Sequence, residues 1–101
     1  MTTPQQSNYA DAPKAQTLNR VREQLAALGL PGLDYSSLDQ AAHLIDDVGL
    51  DSLKFVDLTV GIEKAFGFQE FPMQEWIDEQ LVAGRPLSVG ELARACEALL
   101  R

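Results

Sequence analysis

Apolar residues recur at helical spacing along most of this chain, and no segment shows the sustained alternation of a strand. Leu18, Val21, Leu25 and Leu28 follow one another at steps of three and four, which predicts a helix from Ala15 with Gly29 as its stop and Pro31 beyond. A loop follows from Leu30 to about Val48, broken by Pro31, Gly32, Ser36 and Ser37. Its apolar members Leu33, Leu38, Leu44 and Ile45 are expected to pin it to a core, and residues 39–43 have room for a short turn of helix. A second helix is expected to start at Asp51 or Ser52 and to run to Phe66, where Gly67 stops it. Phe71-Pro72 marks a kink, and Met73 to Val82 predicts a shorter third helix ahead of Gly84-Arg85-Pro86. Ser88-Val89-Gly90-Glu91 has the S-x-x-E spacing of a capping box and opens a last helix carrying Val89, Leu92, Ala93, Cys96, Leu99 and Leu100. The expected fold is all-α, a small bundle of three main helices plus a shorter third one. Residues 1–13 are polar, contain Pro4 and Pro13 and have no period; they read as a disordered tail ahead of one domain over 14–101.

The second helix carries two apolar stripes. With Ser52 at the origin and about 100° per residue, Phe55, Leu58, Ile62 and Phe66 fall between roughly 240° and 320°. Leu53, Val56 and Val60 form a separate group between roughly 40° and 100°. The larger set is expected to face the core. The smaller is either buried between two other helices or exposed beside Asp51, Asp57 and Glu63, where it would make a docking surface.

Charge narrows the partners. The 101 residues hold 15 acids and 8 bases, a net charge of −7. From Asp34 to Glu79 there are 11 acids and only two bases, Lys54 and Lys64. The rest of the chain carries 4 acids and 6 bases. An acidic middle of this kind repels phosphate backbones, so nucleic acid is not an expected partner. It attracts basic protein surfaces, and equally it keeps a small domain soluble. No apolar run is long enough to span a bilayer, and the start of the chain lacks the basic and apolar regions of a secretory signal. With a single cysteine, Cys96, the chain reads as a cytoplasmic monomer with no membrane partner.

A serine at a helix start reads first as a cap. Its setting gives Ser52 a second reading. The segment Leu44-Ile45-Asp46-Asp47-Val48-Gly49-Leu50-Asp51-Ser52-Leu53-Lys54-Phe55-Val56-Asp57-Leu58 runs as Asp-x-Gly-x-Asp-Ser-Leu into an apolar and acidic helix. That pattern resembles the acyl carrier protein family. The likeness continues through Glu63 and Phe66 to Phe71-Pro72, and covers roughly residues 15–100. It implies an acyl-carrier-like four-helix bundle with 4′-phosphopantetheine, donated by coenzyme A, attached to Ser52 by a phosphopantetheinyl transferase. A phosphodiester there would lie against the free N–H groups and positive dipole of a helix start. Gly49 would permit the sharp turn into that helix. The resemblance further implies a non-catalytic carrier of acyl, polyketide or aminoacyl groups held as thioesters. Its partners would be an acyl-loading ligase or transferase and a ketosynthase or other thioester-using enzyme. Asp51, Asp57 and Glu63 would meet basic residues of those partners, with Leu53, Val56 and Val60 filling small apolar pockets. Such contacts should be fast, salt-sensitive and brief.

Two features depart from the family's pattern: Lys54 stands where an acid is usual, and the segment 73–87, with Trp76, is long. Both point away from a housekeeping fatty-acid carrier and towards a dedicated pathway. The competing reading is an unmodified docking or structural subunit of the same fold. A hydrolase is excluded by the absence of a Gly-x-Ser-x-Gly elbow, and His43, the only histidine, reads as a solvent-facing loop residue. Asp46, Asp47 and Asp51 lack the order of a calcium loop. Cys96 reads as core, and Trp76, with Met73 and Ile77, reads as core or else as an exposed anchor for a partner.

Overall fold

Each predicted helix is present among the residues described by the computed structural model, 13–32 and 38–100. They are α1 (Ala15–Ala27), α2 (Ser52–Phe66), α3 (Met73–Ala83) and α4 (Val89–Leu100). The sequence-assigned tail, apart from Pro13, lies outside the described residues, as do Leu33, Ser36 and Ser37.

α1 packs on α2 and α4. Its buried face is Thr17, Leu18, Val21 and Leu25, three of the four predicted positions plus one threonine, while Leu28, at the C-cap, is partly buried against the core. Gly61 of α2 lies against it, so close that a Cβ there would meet Oε1 of Gln24 at 2.6 Å. Leu58 and Ile62 are fully buried from α2, while Leu92, Ala93 and Cys96 are fully buried from α4. The lower end of α2 is clamped as well. The guanidinium of Arg20 sits 5.6 Å from the Phe66 ring centre and donates to the carbonyl of Ala65. Phe66, Phe68 and Phe71 then stack in sequence at 5.5 and 6.1 Å. Gly67, at φ 75°, turns the chain out of α2, a left-handed conformation that glycine adopts without strain.

The loop between α1 and α2 is held as expected by Leu38 and Leu44, both buried, and also by Val48 and Leu50. Ile45 is not part of this anchor: it is exposed. Residues 39–43 form a turn rather than a helix, because their backbone groups are taken by the segment leading into α4. Leu44 N–H donates to Leu87, Val89 N–H to Ala42 and Gly90 N–H to Gln40, at 2.8–3.0 Å. A side chain at Gly90 would crowd the Gln40 carbonyl at 3.1 Å.

α4 begins with half of the predicted capping box. The Ser88 hydroxyl accepts from Glu91 N–H at 3.2 Å. The Glu91 carboxylate turns instead to Arg94 at 2.7 Å and to the buried Gln80 at 3.3 Å. At the other end, Leu99 and Leu100 extend past the core and are exposed. Trp76 is buried, as its helical spacing with Met73 suggested.

Candidate functional site

Ser52 is the first residue of α2, and it is not the cap. Asp51 holds that position: its backbone is extended, and its carboxylate accepts the Lys54 N–H at 2.9 Å. The cap reading of Ser52 is therefore corrected. With the capping bond made one residue earlier, the Ser52 hydroxyl is left in an exposed position at the start of a 15-residue helix. The amides of the first helical turn have no partners within the helix, so the local field favours an anion.

The approach to Ser52 is a chain of tight turns. Asp47 and Val48 N–H both donate to the His43 carbonyl, Gly49 N–H to Ile45 and Leu50 N–H to Leu44. Gly49 has φ 90°, a conformation that L side chains rarely adopt, so this glycine is required by the turn. Leu44, Val48 and Leu50 bury their side chains beneath it, and the turn is thereby fixed to the core while Gly49, Asp51 and Ser52 face outward.

A shallow groove opens beside Ser52. Ile45 and Leu50 from the loop, Phe55 and Val56 from α2, and Met73 and Ile77 from α3 line it together with Ser52 itself. The lining is mostly apolar, with Asp51, Thr59 and Gln74 as its other polar members.

The second stripe of α2 is exposed. Leu53 is 76 %, Val56 60 % and Val60 44 % accessible, against none for Leu58 and Ile62. The reason is visible in the packing. Gly61 faces α1 and Leu58 and Ile62 face the core, whereas Leu53, Val56 and Val60 lie on an arc that the described residues leave largely uncovered. Asp51 and Asp57 are exposed beside the stripe. Glu63 differs: it is half-buried, and its carboxylate accepts the Phe71 N–H at 2.8 Å, tying the end of α2 to the start of α3. Asp51, Leu53, Val56, Asp57 and Val60 thus share a surface with Ser52, and Glu63 lies at its far end with a structural task of its own.

His43 is a residue whose part the sequence did not reveal. It is not a free solvent-facing side chain: Nδ1 accepts the N–H groups of both Ile45 and Asp46 at 3.2 Å. Serine, threonine, asparagine and aspartate are the residues from which such a turn is ordinarily read, so a histidine there gives no signal.

Cys96 is the chain's own thiol, and it is withdrawn from chemistry. Burial, and secondarily the charge of Glu97, push it up to about 12. At neutral pH it is a protonated core side chain and not a nucleophile.

Residues 19–75 match the family model described as a phosphopantetheine attachment site. Among similar proteins are the acyl carrier protein AcpXL of Brucella melitensis, 40% identical over 47 residues, and that of Rhizobium etli, 38% identical over the same length. Each alignment covers 46% of this chain and 50% of the relative. The acyl carrier protein of Thermotoga maritima is 50% identical over 36 residues, or 36% of this chain and 44% of the relative. The chain thus spans about half the length of the curated relatives it matches. No solved structure matches it significantly.

Proposed function

The chain belongs to the phosphopantetheine attachment-site family, and from that premise we propose that it is an acyl carrier whose arm is attached at Ser52. The observation that carries this reading is the division of labour at the start of α2. Asp51 makes the capping bond, and the serine hydroxyl beside it is exposed on a turn fixed to the core. A serine kept for stability alone would be expected to make that bond itself.

The arm, once bound, supplies a thiol that holds an acyl group as a thioester. The protein's own residues do the rest. The helix start offsets the charge of the phosphodiester, and the groove of Leu50, Phe55, Val56, Met73 and Ile77 gives the arm an apolar resting place. The protein is then a non-catalytic carrier, since the thiol of Cys96 is buried and Ser52 is a point of attachment. Asp51, Leu53, Val56, Asp57 and Val60 form the docking surface for the transferase, the loading enzyme and the enzymes that consume the thioester. Glu63, half-buried and tied to the Phe71 N–H, lies at the margin of that surface. The apolar stripe supplies contact area while the carboxylates steer encounter, a combination suited to brief visits by several partners. The natural setting is the reducing cytoplasm, where the arm's thiol stays free.

Intact mass after incubation with coenzyme A, magnesium and a broad-specificity phosphopantetheinyl transferase tests the reading. One phosphopantetheine should be added to the wild type and none to Ser52→Ala. A folded wild-type protein that gains nothing would overturn the carrier reading and leave a docking module of the same fold.

A further inference from the structure

We propose that the cleft between α3 and α4 is a second docking site, which takes a basic segment of a partner protein and leaves Ser52 uncovered. The inference stands whether or not Ser52 carries an arm, because the cleft shares no residue with the Ser52 groove.

α3 is the wall between the two. Met73, Gln74 and Ile77 line the groove beside α2, whereas Glu75, Trp76, Glu79 and Gln80 line the cleft beside α4. At about 100° per residue these sets lie on two sides of one helix. α1 packs on both α2 and α4, but α3 does not close onto α4, and an open cleft of about 400 Å³ is left there. One wall is fixed by hydrogen bonds. The buried Gln80 amide donates to the Pro86 carbonyl at 3.0 Å and to Glu91 at 3.3 Å, which ties α3 and the turn after it to α4. The apolar lining includes Trp76, Ala95, Ala98 and Leu99, the last of these 45 % accessible. The family match ends at residue 75, and most of the cleft is built from residues after it, those of the long 73–87 segment included. The Ser52 reading gives these residues no task.

Charge selects the occupant. Glu75 and Glu79 are exposed on the α3 side, and Glu97 stands on the α4 side. Glu91 and Arg94 neutralise each other at 2.7 Å, which leaves Arg85 against three carboxylates. Glu75, Glu79 and Arg85 form no ion pair among the described residues. The rim is therefore negative and draws a basic segment. The apolar lining asks for a bulky apolar side chain between those bases. The chain itself supplies no such occupant. A second copy carries a net charge of −7 and is repelled. Residues 1–12 precede Lys14, whose N–H donates to Glu97, but the only charged side chain among them is Asp11. A partner held in the cleft leaves Ser52 open to a second one, and a tethered carrier meets its enzymes at raised effective concentration.

Trp76 is the only tryptophan of the chain and lines the cleft, so its fluorescence reports occupancy. The probe is a synthetic peptide without tryptophan, Gly-Arg-Lys-Leu-Phe-Lys-Arg-Gly, titrated into the full chain beside a twin with glutamate for each base. The basic peptide should shift Trp76 emission saturably and bind more weakly as salt rises, and the twin should not bind. Glu75→Gln with Glu79→Gln should weaken binding about fivefold, the scale of two exposed ion pairs. Asp39→Asn with Asp46→Asn removes as much charge from the loop before α2, outside the cleft, and should weaken it far less. All four side chains are exposed, so these variants should fold. An unmoved Trp76, binding of the twin, or equal losses in the two double variants would overturn the proposal. Sedimentation of the chain alone should show a monomer, and a dimer with altered Trp76 emission would put a second copy in the cleft and overturn it as well. Transfer of the arm to Ser52 should keep its rate with the peptide saturating. A peptide that blocks transfer would overturn the separation of the two sites. A chain that takes no arm with or without peptide would instead sink the carrier reading, while the Trp76 titration still decides the cleft.

Discussion

Ser88 and Ser52 stand in nearly the same place, each at the start of a helix, and the fold treats them in opposite ways. Ser88 is buried, and its hydroxyl accepts the Glu91 N–H that α4 would otherwise leave free. Ser52 is exposed, one residue inside α2, with the equivalent bond made by Asp51. Substituting one should therefore be felt in stability and the other in function. The lesson is that a polar residue at a helix start gains chemical freedom only when a neighbour takes over its structural task.

The largest expected contrast lies in modification. Ser52→Ala should abolish addition of the arm, read by intact mass, while its unfolding free energy stays within about 0.5 kcal/mol of wild type. Ser88→Ala should accept the arm at full stoichiometry. If Ser52→Ala proved strongly destabilising, the hydroxyl would have a structural partner and the division of labour between Asp51 and Ser52 would fail.

The next contrast sets the two stripes of α2 against each other. Ile62 is fully enclosed and Val56 is largely exposed, though both are aliphatic and six residues apart on one helix. Ile62→Ala should cost about 2–5 kcal/mol through lost burial and the cavity left behind. Val56→Ala should change stability by less than about 0.5 kcal/mol. Urea melts of the two variants give the comparison directly. A large loss at Val56 would mean that this stripe is covered, and it could not then serve as a docking surface.

Much of this was legible in the sequence because it depends on local chemistry. The four helices follow from apolar spacing, from Gly67 and Gly84 as stops and from Ser88 as a start. The attachment proposed at Ser52 rests on the same kind of local signal, since Gly49, Asp51 and Ser52 act over a few residues. What escaped was set by packing between distant segments. Whether Leu53, Val56 and Val60 were covered depended on where α1 and α3 came to lie. The turn at 39–43 lost its expected helical character because residues 87–90 took its backbone groups. Ile45, expected to pin the loop, is exposed, as are Leu99 and Leu100 of the last helix, since periodicity tells which face a residue shares and not where the core ends. The acceptor role of His43 left no trace, because nothing in its residue type indicates a turn.

A smaller effect is expected at Ser88 itself. Removing its hydroxyl should cost about 1 kcal/mol, within the usual range for loss of a helix cap. In a domain of this size that lowers the thermal midpoint by about 4–8 °C. The bridge backbone at 87–89 should hold, because its bonds to Ala42 and Leu44 use main-chain groups only. Calorimetry of Ser88→Ala beside Ser52→Ala places the two serines on one scale.

The smallest expected effect separates the two properties that Asp51 brings to the start of α2, an acceptor and a charge. Asparagine is as good a cap as aspartate, so Asp51→Asn keeps the bond to the Lys54 N–H and removes only the charge. The carboxylate gains from the helix dipole, typically about 0.3–1 kcal/mol for an exposed group. It also stands in an acidic stretch with Asp46, Asp47 and Asp57, so part of that gain is already lost to repulsion. Asp51→Asn should therefore cost no more than about 0.5 kcal/mol, and Asp51→Ala about 1 kcal/mol, because alanine loses the bond as well. Salt distinguishes them further. Raising the ionic strength screens the charge and should erase the difference between wild type and Asp51→Asn, while the deficit of Asp51→Ala persists. Equal losses in the two variants would show that charge, and not the capping bond, holds the first turn, and the exposed Ser52 hydroxyl would then need another explanation.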